Sequence, residues 1–269
     1  MKVTSSLASL LALAGVASAN PTMQPRHHKN HSLPKTMIAG VEVIDTQIVR
    51  DAQALIKDFV PYLYYHQMRS WLFGVAGINA NETLKGQIDL EVHAVGTLLH
   101  DLGWDMTPGS PYVSNDKRFE VDGALHARDF ILNHPDAKNW DKARIALVYD
   151  GILLHNSAGL APWKEPDVSY IVTSIGLDYQ GPNGTLITPE VYAGIAEVFP
   201  QTELLSGTNE TFTWICQFKP NVTYDTSLQP YGENYVPGYN ASGHRGFDTV
   251  ITRLKEEQAA AAAHKLRGY

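Results

Sequence analysis

Two side chains able to bind a divalent metal stand next to each other in the stretch Glu91-Val-His-Ala-Val-Gly-Thr-Leu-Leu-His-Asp-Leu-Gly103: the imidazole of His100 and the carboxylate of Asp101. They follow Val95, Leu98 and Leu99, whose spacing is helical, so the pair falls where an apolar helix ends and a cavity can begin. Imidazole nitrogens and carboxylate oxygens both suit borderline divalent cations. The same pair has a plainer reading, in which His100 satisfies a backbone carbonyl and Asp101 caps the turn that Gly103 makes. A dipeptide does not choose between the two.

The elements that must position such a pair are helices. Ile44, Ile48, Ala52, Leu55, Ile56 and Phe59 recur at helical spacing from Val43 onward, and Pro61 ends or restarts that helix. A second helix, Pro61 to Gly77, carries His66 among Tyr62, Tyr64, Tyr65, Trp71 and Phe73, and a polar loop from Gly77 to Gly86 leads into the helix that ends in His100-Asp101. Gly103 to Asp116, with Pro108, Gly109 and Pro111, reads as a loop long enough to form a pocket wall. Helices follow over Arg118 to Asn133, carrying His126, and over Asp141 to His155. Pro166 to Gly176 is helical or, given Val168, Tyr170, Ile171 and Val172, a strand. Thr188 caps a further helix to Val198 with Pro189 in its first turn. Pro200 to Gly246 shows little period and reads as an irregular wrap around the same domain, closed by a helix from Phe247 to about Leu266.

The 269 residues, 44% of them hydrophobic, suffice for one sizeable core. Met1 to Ala19 has a basic start, a short apolar run and an Ala17-Ser-Ala19 exit, the pattern of a cleaved secretory signal peptide. No later stretch reaches the roughly 20 apolar residues that span a bilayer. Asn20 to about Gly40 reads as a flexible leader, and residues 41–199 as a helical domain that the wrap and last helix complete. Sequons at Asn30, Asn81, Asn183, Asn209, Asn221 and Asn240 fit a glycoprotein of the secretory lumen or beyond. Cys216 is the only cysteine, so no intrachain disulfide forms. A net charge of −7, or −8 once Lys2 leaves with the signal, argues against nucleic acid as partner and leaves small molecules open.

Among residues able to bind a metal at helix ends, the chain order is His66, then His100-Asp101, then Asp178, with His126 and His155 between. This order resembles the HD-domain superfamily of metal-dependent hydrolases. The flanks Leu98-Leu-His-Asp-Leu-Gly103, Phe119-Glu-Val-Asp-Gly-Ala124, Ile152-Leu-Leu-His155 and Gly176-Leu-Asp-Tyr-Gln-Gly181 carry the likeness over Pro61 to Gly181, and within the superfamily it looks closest to cyanamide-hydratase-like members. In those members a Ser often follows the first His, where this chain has Gln67, and an aromatic residue stands at the position of Asp122.

The resemblance implies a mainly α HD-type helical bundle in which His66, His100, Asp101 and Asp178 ligate a divalent ion: Zn²⁺, Fe²⁺ or Mn²⁺. Such a set satisfies one ion while leaving a position for water, whose acidity the ion raises. Glu120 and Asp122 are the carboxylates to act as general acid or base, unless they serve as helix-start charges beside Arg118. His126 and His155 are either ligands of a second metal, as in two-metal members, or residues around a single ion, which is favoured. Arg69, one turn after His66, is a candidate substrate-binding guanidinium or an interhelical ion pair. The expected activity is hydrolysis of a small molecule, with hydration of a nitrile-like carbon as a variant. A di-iron oxygenase and a catalytically silent secreted binding protein are the alternatives.

Overall fold

The computed structural model describes residues 33–157 and 159–267. The signal-type segment, Asn30 and most of the leader lie outside the described residues. The chain opens with strand β1, Lys35–Ile38, paired antiparallel to β2, Val41–Ile44, in the register Lys35↔Ile44 to Ile38↔Val41. Ala39 and Gly40 turn between them with φ of 48° and 78°, the conformation that lets a two-residue hairpin match strand twist. Val41 and Val43 are buried and Glu42 is exposed. Two sequence expectations are corrected here: Lys35–Ile38, read as part of the leader, form a strand, and Val43 and Ile44 belong to a strand rather than to the first helix. The period-2 alternation Val-Glu-Val is too short to stand out against the helical spacing that follows it.

Eleven α-helices make up most of the rest of the described residues. They are α1 (Gln47–Ile56), α2 (Pro61–Asn79), α3 (Glu82–Gln87), α4 (Leu90–Leu98), α5 (Phe119–Asn133), α6 (Lys142–Leu154), α7 (Pro166–Gln180), α8 (Pro189–Val198), α9 (Leu204–Phe218), α10 (Gln229–Tyr235) and α11 (Gly246–Arg267). Their starts follow the local chemistry. Pro61, Pro166 and Pro189 each stand in the first turn, where the missing N–H has no intrahelical partner to lose. Side chains of Asp89, Asp141 and Thr188 accept from the first free N–H groups of α4, α6 and α8. Helix wins over strand in 166–180, because its buried positions Val168, Ile171, Ile175 and Asp178 repeat every three to four residues.

The domain is arranged around α2, which is buried along most of its length and packs on α4, α7, α8 and α9. One apolar cluster, including Ile48, Trp71, Phe73, Leu98, Ile152 and Ile171, fills the space between α1, α2, α4, α6 and α7. A second, with Tyr62, Leu63, Trp104, Phe119, Phe212 and Ile215, joins the starts of α2 and α5 to α9. The segment read as an irregular wrap therefore contains a fifteen-residue helix, α9. Its buried positions, Leu204, Gly207, Thr208, Thr211, Phe212, Ile215 and Cys216, keep helical spacing. Gly, Thr and Asn there are poor helix formers, and they hide that spacing from propensity. Among the described residues no helix is long and apolar enough to cross a membrane.

His93 lies fully buried between α4 and α7, with Nε2 3.0 Å from Ser174 Oγ. Ser174 Oγ donates to Tyr170 O, so His93 Nε2–H donates to Ser174, and Nδ1 has no partner. Burial pushes the His93 pKa down to about 3. The unfolded chain takes up a proton below pH ~6.5, while the folded one stays neutral until about pH 3. Stability from this residue is complete above pH ~6.5 and is lost as the pH falls toward 3, by up to about 1.4 kcal/mol per unit. Urea unfolding between pH 4 and 7 should show a shallower dependence for His93→Asn than for wild type. Equal slopes would remove His93 as the source.

Candidate metal centre

Helix α4 stops at Leu98, and the chain turns through Leu99, His100 and Asp101 into a 3-10 turn at Leu102–Trp104. Two glycines seat this turn on α5. A methyl group on Gly103 would stand 2.4 Å from the backbone oxygen of Phe119, and one on Gly123 would stand 2.7 Å from the backbone oxygen of His100. The blocks Leu-His-Asp-Leu-Gly and Phe-Glu-Val-Asp-Gly are thus two halves of one contact. They hold His100 and Asp101 at 0% exposure, opposite His66 of α2 at 1%.

Nε2 of His100 is 3.1 Å from Nε2 of His66 and 3.0 Å from Oδ2 of Asp101, and His66 Nε2 is 3.5 Å from the same oxygen. His155, just past the end of α6, adds a third ring whose Nε2 is 3.3 Å from Asp101 Oδ1. All three imidazoles are fixed from behind. His66 Nδ1 is 2.7 Å from Asp178 Oδ2, His100 Nδ1 is 2.8 Å from Thr97 O, and His155 Nδ1 is 2.6 Å from Ile152 O. Each acceptor takes a hydrogen bond from Nδ1, so any ring that is neutral turns a bare Nε2 lone pair toward the group. Neither oxygen of Asp101 takes part in a regular hydrogen bond.

Two lone pairs and a carboxylate facing each other at about 3 Å in a dry interior repel, unless a positive charge lies among them. A proton on one Nε2 would serve, and so would a metal ion. Two donors bound to one ion at about 2.1 Å stand roughly 3.0–3.4 Å apart, and the contacts among His66, His100 and Asp101 run from 3.0 to 3.5 Å. Burial lowers the pKa of His100, which favours the neutral form that binds metal. Burial alone would raise the carboxyl of Asp101, but His100 and His155 beside it outweigh this and hold it well below the usual range. For His155 the neighbouring Asp101 carboxylate outweighs burial and raises its pKa, with a further contribution from Glu120. His66, His100 and Asp101 together can hold a metal ion.

No family model matches the chain, and no curated protein does. The likeness to HD-domain hydrolases therefore rests on the four sequence blocks, and the roles of the residues on their contacts.

Those contacts sort the sequence candidates. Asp178 sits behind His66 rather than within the group, and accepts from Arg69 Nε at 2.7 Å and Arg69 NH2 at 2.8 Å. Burial would raise its pKa, but the hydrogen bonds from His66 and Arg69 prevail and push it down to about 2. Arg69 is fully buried on Asp178 and on backbone oxygens, an interhelical ion pair between α2 and α7. Glu120 bonds Arg118, with NH2–Oε1 2.5 Å, and Asn156, close enough to act on His155 through its charge. Asp122 is not at the group: it pairs with buried Lys219 at 2.7 Å and accepts from Ser114 N, which ties α5 to the end of α9. His126 is also outside it, edge-on to the ring of Tyr112. The structure thus brings His155 to the group and places His126 against Tyr112.

The wall is aromatic. Trp104 stacks on His66 with centroids 6.1 Å apart, Tyr179 meets the same ring edge-on at 5.2 Å, and Phe119 meets His155 at 5.4 Å. Tyr112, in the same loop as Trp104, lies against Phe59 and His126, and Trp163 is 85% exposed. Sequence reasoning missed Gln201, whose amide Nε2 is 2.9 Å from Asp178 Oδ1. It follows Pro200 in a stretch without period, so no local signal marks it.

Proposed function

We propose that this chain is a metal-dependent hydrolase that adds water to a small neutral molecule, with His66, His100 and Asp101 holding one divalent ion. The observation that carries this is the convergence of the Nε2 atoms of His66 and His100 on a buried carboxylate whose oxygens make no regular hydrogen bond. When bound, the ion supplies Lewis acidity, polarising an electrophilic substrate and lowering the pKa of water at the open position. Asp101 would offset half of its charge, and Thr97 O and Asp178 hold the two rings in the ligating tautomer. His155, with Nε2 toward Asp101 Oδ1, can hold a proton at Nε2 beside the reacting water, and Glu120 favours that charged form. Trp104, Tyr179 and Phe119 exclude bulk water from one side.

The charges around the centre support a neutral substrate. Arg69 is paired with Asp178, Arg118 with Glu120 and Lys219 with Asp122. Beyond the ion itself, each of these cations is already taken, so none is left to bind the charge of a phosphate ester. Amides, esters and nitrile-like carbons fit better, and hydration of a nitrile-like carbon belongs to the same chemistry. The signal-type start and the sequons support action in the secretory lumen or outside the cell. Elemental analysis of the purified full chain should find about one divalent transition metal per protein, and the loaded protein should hydrolyse neutral amides, esters or nitriles in preference to phosphate esters. Less than about 0.2 ion per chain after exposure to Zn²⁺, Mn²⁺ or Fe²⁺ would defeat the proposal.

A further inference from the structure

We infer that Asp178, Arg69 and Gln201 form a clamp that sets the tautomer and direction of His66, so that Asp178 acts behind a metal ligand rather than as one. The inference rests on the metal reading and deepens it. It begins with acceptor capacity: two carboxylate oxygens offer about four lone-pair sites. At Asp178 all are engaged. Oδ1 accepts from Arg69 Nε at 2.7 Å and Gln201 Nε2 at 2.9 Å, and Oδ2 accepts from Arg69 NH2 at 2.8 Å and His66 Nδ1 at 2.7 Å. Asp101, equally buried, has no regular hydrogen bond at either oxygen. One carboxylate is filled by the protein and the other is left for an ion.

The clamp is itself held. Arg69 NH1 donates to Phe199 O at 3.1 Å and Pro200 O at 2.5 Å, and Gln201 Nε2 lies 3.0 Å from Asp178 O. Its inner half comes from α2 and α7, and its outer half from the link between α8 and α9. The fork of Arg69 fixes the plane of the carboxylate, because both oxygens are bound in parallel by one rigid guanidinium. With that plane fixed, Oδ2 meets His66 Nδ1, the proton stays on Nδ1, and Nε2 keeps its lone pair for the ion. Partners of this kind typically change metal affinity by about 10–100-fold when removed.

The test uses the full-length protein, Co²⁺ as the probe ion, competition with a chromophoric chelator for affinity, and ¹⁵N chemical shifts of the His66 ring in metal-free protein for the tautomer. Gln201→Ala is the mild variant and Asp178→Asn the direct one, with far-UV circular dichroism checking that each folds. Both should bind Co²⁺ about 10–100-fold more weakly than wild type, with the saturated visible spectrum unchanged. Asp178→Asn should also move the His66 proton from Nδ1 to Nε2, a change that loss of stability alone does not produce. Affinities within about threefold of wild type, or a Co²⁺ spectrum in Asp178→Asn that has lost an oxygen ligand, would overturn the clamp. A wild-type protein that binds no Co²⁺, yet keeps the His66 proton on Nδ1 only while Asp178 is present, would overturn the metal reading and uphold the clamp.

Discussion

Asp101→Ala should leave the protein unable to retain a divalent ion at micromolar concentration. A structural zinc site of four ligands is worth about 10–16 kcal/mol of apparent binding energy, so one ligand accounts for roughly 3–4 kcal/mol, or a factor of about 10²–10³ in affinity. The loss at Asp101 should exceed that share, since it is the one anion in the group and its partners are neutral rings. Asp101→Asn should fall close to the alanine variant, because an amide matches the shape of the carboxylate without its charge. Competition titration with Zn²⁺ measures both. If either variant stayed within about tenfold of wild type, the three residues could not be the ligands. The clamp variants are expected to lose less, and the order of the two effects distinguishes a side chain that touches the ion from one that acts through His66.

Gly103→Ala should destabilise the fold by about 3 kcal/mol or more, at the upper end of overpacking in a core. The added methyl would meet Phe119 O at 2.4 Å, Phe119 Cα at 2.9 Å and Phe119 C at 3.0 Å. These are backbone atoms of a helix, so no side-chain rotation relieves the contact. The turn that carries His100 and Asp101 must then separate from the start of α5. Gly123→Ala meets one backbone oxygen, His100 O at 2.7 Å, and a side-chain methyl of Ile152 at 3.3 Å, and should cost less. Chemical denaturation gives the comparison. A Gly103→Ala protein as stable as wild type would mean that the two segments do not approach this closely in solution.

The turn and its seat were legible because one contact imposes residue types on both of its sides. His100-Asp101 needs Gly103 to reach α5, and α5 needs Gly123 to receive it, so the chemistry and its support appear together in the letters. The start of α8 was legible from its cap Thr188, and Asp89 and Asp141 satisfy N–H groups two or three residues ahead in the same way. What stayed hidden depends on partners far along the chain. Nothing near Asp178 says that Arg69 and Gln201 occupy all of its lone pairs, so its letter reads equally as ligand or as support. Asp122 looked like a base beside Arg118 because Lys219, 97 positions away, cannot be read as its partner. The strand at Val41–Ile44 and helix α9 were missed for a local reason: four residues are too few for a period, and Gly and Thr mask one.

The complete burial of His66, His100 and Asp101 has a kinetic consequence. A ligand group at 0–1% exposure offers an incoming chelator no atom to attack, so a substrate enters and a bound ion leaves only when the surrounding helices part. Its rate of release is then a property of the protein's breathing and not of the strength of the bonds to the ion. Exchange should therefore reach a ceiling as chelator concentration rises, and two ions of quite different affinity should share that ceiling. The centre would hold whichever ion it met while folding for far longer than its equilibrium preference implies, and the cell's supply at that moment would decide what the protein carries.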